Sequence, residues 1–165
     1  MPFADFVLYE DEYGKVEAEI GNLCREARIT TAAVIDKNGQ IIAVAGETGR
    51  MDATSLASLA AGDVAAANGM AALIGETEFS VFFHEGQRDC IYMSLLAGRF
   101  ILIAIFDKKV TSLGMVRLKA NKATETLAAV LTAASSKSEA GHDTGGEALF
   151  AGITTEDIDR LFGQA

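Results

Sequence analysis

Between Thr54 and Ile74 the chain reads TSLASLAAGDVAAANGMAALI, with one charged side chain and no proline. Alanine, leucine and methionine dominate it, which makes it a helix. At 100° per residue, Thr54, Ser58, Ala61, Ala65, Asn68, Gly69 and Ala72 fall on one stripe, almost without side-chain bulk. Leu56, Leu59, Met70 and Ile74 stand on the other side. Bulk usually anchors a helix to its own core. The expectation is therefore a helix held by its leucine side, with the small stripe open to the close approach of another backbone. That backbone belongs either to a partner protein or to a second helix of the same subunit. The polar members Thr54, Ser58 and Asn68 suit a surface. Asp63 falls on the bulky side, so either that side is not fully buried or Asp63 meets polar groups at an interface.

The rest of the chain frames this helix. Its 165 residues fit one domain plus a tail, and half of them are hydrophobic, enough for a full core. A first helix spans roughly Tyr9 to Ala27, with Tyr9, Tyr13, Val16, Ile20, Leu23 and Ala27 at three- and four-residue spacing. Asn38-Gly39 lies between two apolar runs, a strong hairpin signal, and places strands near Thr31–Asp36 and Gln40–Ala45. Asp52 or Thr54 is the candidate N-cap of the small-residue helix, and Gly75 its stop. Strands follow at Phe79–Glu85, Arg88–Ala97 and Phe100–Phe106, the last apolar throughout and so expected to be buried on both faces. A third helix begins at Thr111 or Ser112, with Val116, Ala120, Ala123, Leu127, Val130 and Ala134 on its buried stripe.

The order is α-β-β-α-β-β-β-α, an α+β domain with a five-stranded, mostly antiparallel sheet. It occupies residues 1–134. Residues 135–148, rich in Ser, Gly and charge, are expected as a flexible linker, and 149–165 as a C-terminal amphipathic helix. That last segment either folds back onto its own domain or docks in a partner as a tethered peptide.

Charge and chemistry narrow the function classes. The net charge of −9 is uneven: −4 in residues 1–30, −1 in 31–134 and −4 in 135–165. No clustered Lys and Arg offer a path for a phosphate backbone, so no nucleic-acid partner is expected. An anionic membrane surface is disfavoured on the same ground, and no apolar run is expected to span a bilayer. Cys24 and Cys90 sit in apolar patterns and are expected as reduced, buried thiols of a cytoplasmic protein. His84 and His142 lack the companions of a metal site, so no metal and no cofactor are expected. No GxSxG elbow, P-loop or GxGxxG occurs. Lys37-Asn38-Gly39 is turn chemistry, and Lys108-Lys109 a solvated pair. Arg50, Arg88, Arg99 and Arg117 are the residues that could act as an arginine finger, and each is more simply a surface arginine. The Phe79–Glu85 strand is apolar on both faces, Phe79, Val81 and Phe83 against Phe82, which is costly at an exposed sheet edge. These residues and Asp63 are therefore expected at the interface of a homodimer.

The segments VIDKNGQIIAVAG, DATSLASLAAGDVAAANGMAALIGE, FHEG and FDKKVTSLGMVRLK together resemble the Roadblock (dynein light-chain) family over about residues 5–134. The similarity is strongest to its bacterial MglB-like branch, and ITTEDIDRLF is similar to that branch's acidic tail. The resemblance implies a sheet extended across a homodimer through edge strands and second helices. It implies a regulator, not an enzyme: a GTPase-activating protein that seats one small Ras-like, MglA-type GTPase on the paired second helices and supplies no arginine finger. The GTPase would control cell polarity or motility, with the protein in the cytoplasm at the cell poles. The platform residues would be Thr54, Ser58, Ala61, Ala65, Asn68, Gly69 and Ala72, with the tail's Ile153, Ile158, Leu161 and Phe162 as a second contact. The alternative within the family is a scaffold that binds a GTPase without stimulating hydrolysis. A small-molecule sensor, the third class, requires an internal cavity with convergent polar groups.

Overall fold

The computed structural model describes the backbone over residues 8–150 and side chains through Lys137. Helix α1 is Glu10–Ala27, followed by β1 Thr31–Asp36, β2 Ile41–Gly46, α2 Ala53–Leu73, β3 Val81–Glu85, β4 Asp89–Leu96, β5 Phe100–Asp107 and α3 Leu113–Phe150. The expected element order is present. The strands lie in the order β2-β1-β5-β4-β3, and all four neighbouring pairs are antiparallel.

Local chemistry explains the turns. Asp36 Oδ1 accepts from the backbone N–H groups of Asn38 and Gln40, both at 2.8 Å, and Gly39 takes φ +85°. A Cβ on Gly39 would stand 3.0 Å from Ser58 Cα, so the hairpin tip rests directly on the backbone of α2. Asp52 is the N-cap of α2, accepting from Thr54 N and Ser55 N. A hydrogen bond from the Ser55 hydroxyl, with those two backbone bonds beside it, holds its carboxyl below the usual carboxylate range. Gly75, at φ +83°, follows the end of the helix. Ser112 caps α3, its Oγ accepting from Met115 N at 3.2 Å.

Three layers result. Helices α1 and α3 cover one face of the sheet through Val16, Ile20 and Leu23 against Leu127 and Leu131, over Tyr92, Phe100 and Phe106. On α3 it is Leu131 that is buried, while Val130 is half-buried. Helix α2 covers the other face, over Ile35, Phe82, Met93, Ile101 and Ile103. Strand β5 is buried on both faces, as its unbroken apolar run predicts.

The orientation of α2 corrects the expectation from bulk. Its inward face is Ala57, Ala60, Ala61, Val64, Ala67 and Ala71. Leu59, Met70, Leu73 and Ile74 point outward, 73%, 57%, 87% and 69% exposed. The strands explain the reversal. Isoleucines, Phe82 and Met93 already fill the space on this face of the sheet, each worth about 1.5–3 kcal/mol when buried. The helix adds only methyl groups and settles close. By length and composition α2 is also apolar enough to cross a bilayer, which corrects the expectation that no run is; here a third of the apolar stretch is buried in the domain.

A second correction concerns residues 135–148. Helix α3 continues through them to Phe150 and leaves no break after Ala134. The Ser135 and Ser136 hydroxyls return to the carbonyls of Leu131 and Thr132, so these serines need no turn to satisfy them. Lys137 reaches across to Glu12 of α1, 125 residues away in sequence, whose carboxylate is buried. The tail residues Ile153, Ile158, Leu161 and Phe162 lie outside the described residues.

The Glu12–Lys137 pair generates a prediction. The hydrogen bond from Lys137 holds the Glu12 carboxyl below its ordinary value, against the opposing effect of burial. A depressed folded-state value contributes stability above the unfolded-state value, and that contribution is lost as pH falls through the folded-state value. Truncation after Ala134 strands the Glu12 carboxylate, so at pH 7 the truncated chain should melt below the full chain. Glu12→Gln should narrow that gap, and the gap should shrink on acidification toward pH 3. Equal melting temperatures at pH 7 would show that the pair holds nothing.

Candidate partner-binding surface

The outward face of α2 carries two flanks. Ser58, Ala65 and Gly69 form a low one, and a Cβ added at Gly69 meets no atom within 4 Å outside its own helix. Thr54 and Ala72 are exposed at its margin. Leu59 and Met70 form a high one, with Leu73 at the crest. Ala61 does not belong to the open surface: it is 7% exposed and faces the sheet. Asn68 is half-buried, its Oδ1 enclosed without a hydrogen-bond partner among the described residues. The expected stripe is therefore split between surface and core. The open face combines its outer half with the bulky residues expected inside.

The bulky flank leans toward β3 and β4. There Leu56, Leu59 and Ala60 of α2 stand over Ile91 and Met93, enclosing an open groove of about 260 Å³. At its mouth the Nε2–H of His84 donates to Asp63 Oδ2 at 2.7 Å. Both side chains remain partly exposed. The bulky side of α2 is thus not fully buried, and a histidine on the neighbouring strand satisfies the carboxylate of Asp63. An acid among leucines was the one sequence signal that this side faces out. Its pairing with His84 was not readable, because it depends on where β3 lands.

Strand β3 is the edge of the sheet. It begins at Val81, so the expected start at Phe79 is two residues early; Phe79 lies in the preceding loop and packs on the α2-side core. Phe82 is buried beneath α2, whereas Val81 and Phe83 face the other way and remain partly exposed. Phe83 stacks on Phe106 with ring centroids 6.4 Å apart. Both faces of the edge strand are apolar, as expected.

The arginines are dispersed. Arg50 lies in the loop before α2 and pairs with Glu47 at 3.7 Å. Arg88 pairs with Asp107, at the C-terminal end of β5, at 3.2 Å. Arg117 stands on α3, on the opposite side of the sheet from α2. Burial raises the Cys24 thiol above its ordinary value, and Cys90 is buried. Among the described residues no three His, Cys, Asp or Glu side chains gather as metal ligands.

A Roadblock/LC7 domain model matches residues 15–107, from α1 to the end of β5. MglB of Myxococcus xanthus is 46% identical, with 78% of this chain and 96% of that one covered and a TM-score of 0.73. The gliding protein MglB of Thermus thermophilus is 29% identical, covering 78% and 96%, with a TM-score of 0.72. An MglB with tetrameric arrangement is 30% identical, covering 79% and 97%, with a TM-score of 0.72. No curated protein matches the sequence.

Two substitutions separate the core of this surface from its rim. His84→Ala should change unfolding free energy by under about 1 kcal/mol, because a partly exposed side-chain pair contributes little. Phe82→Ala should cost about 3–5 kcal/mol through the cavity it leaves under α2. Urea denaturation distinguishes them, and similar losses at both sites would show that the pair, not the packing, holds β3 to α2.

Proposed function

We propose that this chain, a member of the Roadblock/LC7 domain family, is an MglB-like activator of a small Ras-like GTPase, which it binds as a homodimer. The observation that carries the reading is the outward face of α2, a long helix with Asp63 as its one charged residue, left open beside an apolar sheet edge. An exposed apolar face of this kind marks an interaction surface. In a two-fold dimer the β3 edges pair through Val81 and Phe83, and the two α2 helices come side by side to form one platform. Thr54, Ser58, Ala65, Gly69 and Ala72 meet the GTPase there. The tail's Ile153, Ile158, Leu161 and Phe162 supply a contact away from it.

Activation on such a platform is differential binding. The dimer must hold the GTPase conformation that aligns the attacking water more tightly than the others. No arginine of this chain is required in the GTPase site, and Arg50, Arg88 and Arg117 point to no common place on the α2 face. The protein acts in the cytoplasm at the cell poles, on a GTPase that controls polarity or motility. The motility assignment is supported by the relative named a gliding protein.

Single-turnover GTP hydrolysis by an MglA-type GTPase, with and without this protein, is the direct test. Ala65→Arg and Gly69→Arg should each weaken binding at least about tenfold, or 1.4 kcal/mol, with unchanged circular dichroism. Alanine at Arg50, Arg88, Arg99 or Arg117 should leave stimulated turnover within about tenfold, whereas loss of an arginine finger costs about 10³ or more. Binding without stimulated hydrolysis would identify a scaffold. Retained binding in both arginine variants would place the platform elsewhere.

A further inference from the structure

The face of the sheet opposite α2 holds an incomplete polar site beside the β3 edge. Tyr92 and Ser94 stand two residues apart on β4, on the side covered by α3, 0% and 5% exposed. Neither hydroxyl has a well-formed hydrogen-bond partner among the described residues. Burial raises the Tyr92 phenol above its ordinary value, while Arg117 of α3 and the Ser94 hydroxyl oppose the rise, so both lie near the phenol. Arg117 is exposed and has no ion-pair partner among the described residues. Lys119 faces α1, where it bonds to Glu26. Arg117 lies about 200° around the helix from Lys119 and so points away from α1, toward the β3 side of β4. The site is a guanidinium over two hydroxyls, all able to donate, with no anion among them.

The free edge of β3 determines what reaches this site. Gly86 N donates to Asp89 O, and Leu95 N donates to Ser80 O, so the even-numbered residues turn their backbone groups to β4. Val81, Phe83 and Glu85 turn theirs outward, with their side chains on the α3 face, opposite Ser94, Tyr92 and Cys90. A second copy pairing antiparallel with this edge, about a two-fold axis, engages all three only when the axis passes Phe83. A slip of two residues either way leaves the outward groups of Val81 or Glu85 without a mate in the strand. Centred on Phe83, the pairing sets the partner's Glu85 directly opposite Val81, one strand beyond Ser94. Its carboxylate is the missing acceptor. Within its own subunit Glu85 receives Lys108 through Oε1 at 3.0 Å, which leaves Oε2 for a second cation.

We propose that Glu85 of the partner subunit completes this site, pairing with Arg117 across a β3–β3 contact centred on Phe83. The contact rests on the homodimer proposed above and fixes its register. Two-fold symmetry makes it twice, once at each end of the paired strands. Phe83 and the partner's Phe83 meet between the two sites, where an apolar cross-strand pair covers both rings.

Two variants of the full chain test it, Arg117→Glu and Glu85→Arg, each checked for fold by circular dichroism. Either alone sets two like-charge pairs in its own dimer. One of each restores opposite charges at both sites. In native mass spectrometry of an equimolar mixture, the mixed dimer should therefore exceed each parent dimer by about tenfold, against about twofold for random pairing. The excess should fall as ionic strength rises. A pair formed within one subunit would give no excess. Random pairing beside a dimeric wild type would overturn the contact and leave the dimer standing, whereas a monomeric wild type would overturn both. A second measurement is independent of charge. Oxidation of mixed Val81→Cys and Glu85→Cys proteins should join one of each by a disulfide, and linkage within either variant alone would overturn the register.

Discussion

The contact between the alanine face of α2 and the isoleucine-rich face of the sheet sets the character of this molecule. Sheet and helix must together fill a fixed volume at near-crystalline density. Here Ile35, Ile101, Ile103, Phe82 and Met93 fill it from the sheet side, so the helix can contribute little more than Cβ atoms. The large side chains of α2 are then placed outward. Residues that would ordinarily be core, Leu59, Met70, Leu73 and Ile74, are left exposed there.

The same division explains why the two sides of the sheet differ. Helices α1 and α3 meet the sheet with large aliphatic residues and bury them completely. The α2 side buries methyl groups and leaves leucines outside. One side is a conventional core, and the other leaves the large side chains of its helix uncovered. The His84–Asp63 pair sits at the boundary between them. It ties the edge strand to the helix without closing the groove.

Much of this was legible in the residues. Asn38-Gly39 located the first hairpin, the apolar run at Phe100 located the central strand, and Asp52 located the start of α2. These are local signals, each decided within a few residues. The inward side of α2 was not legible, because alanine is at home both in a core and at a surface. Only the bulk of the facing strands, distant in sequence, breaks the tie. The end of α3 was misjudged for a similar reason. Serines 135 and 136 suggest a linker by composition, but their hydroxyls turn back onto the helix and Lys137 finds a carboxylate on α1. Of the candidate platform residues, Thr54, Ser58, Ala65, Gly69 and Ala72 emerge on the surface, while Ala61 goes to the core.

Interlocked leucine ridges resist shear, because each knob must climb out of its hole before a helix can move along its axis. A row of methyl groups offers little such resistance. The inward face of α2, with Val64 as its one larger member, offers the sheet few such knobs. Its closest backbone approach is at the hairpin tip, where a Cβ on Gly39 would stand 3.0 Å from Ser58 Cα. Any side chain at position 39 would therefore have to displace the backbone of α2, which makes this one glycine the point where the first hairpin and the second helix are fitted to each other.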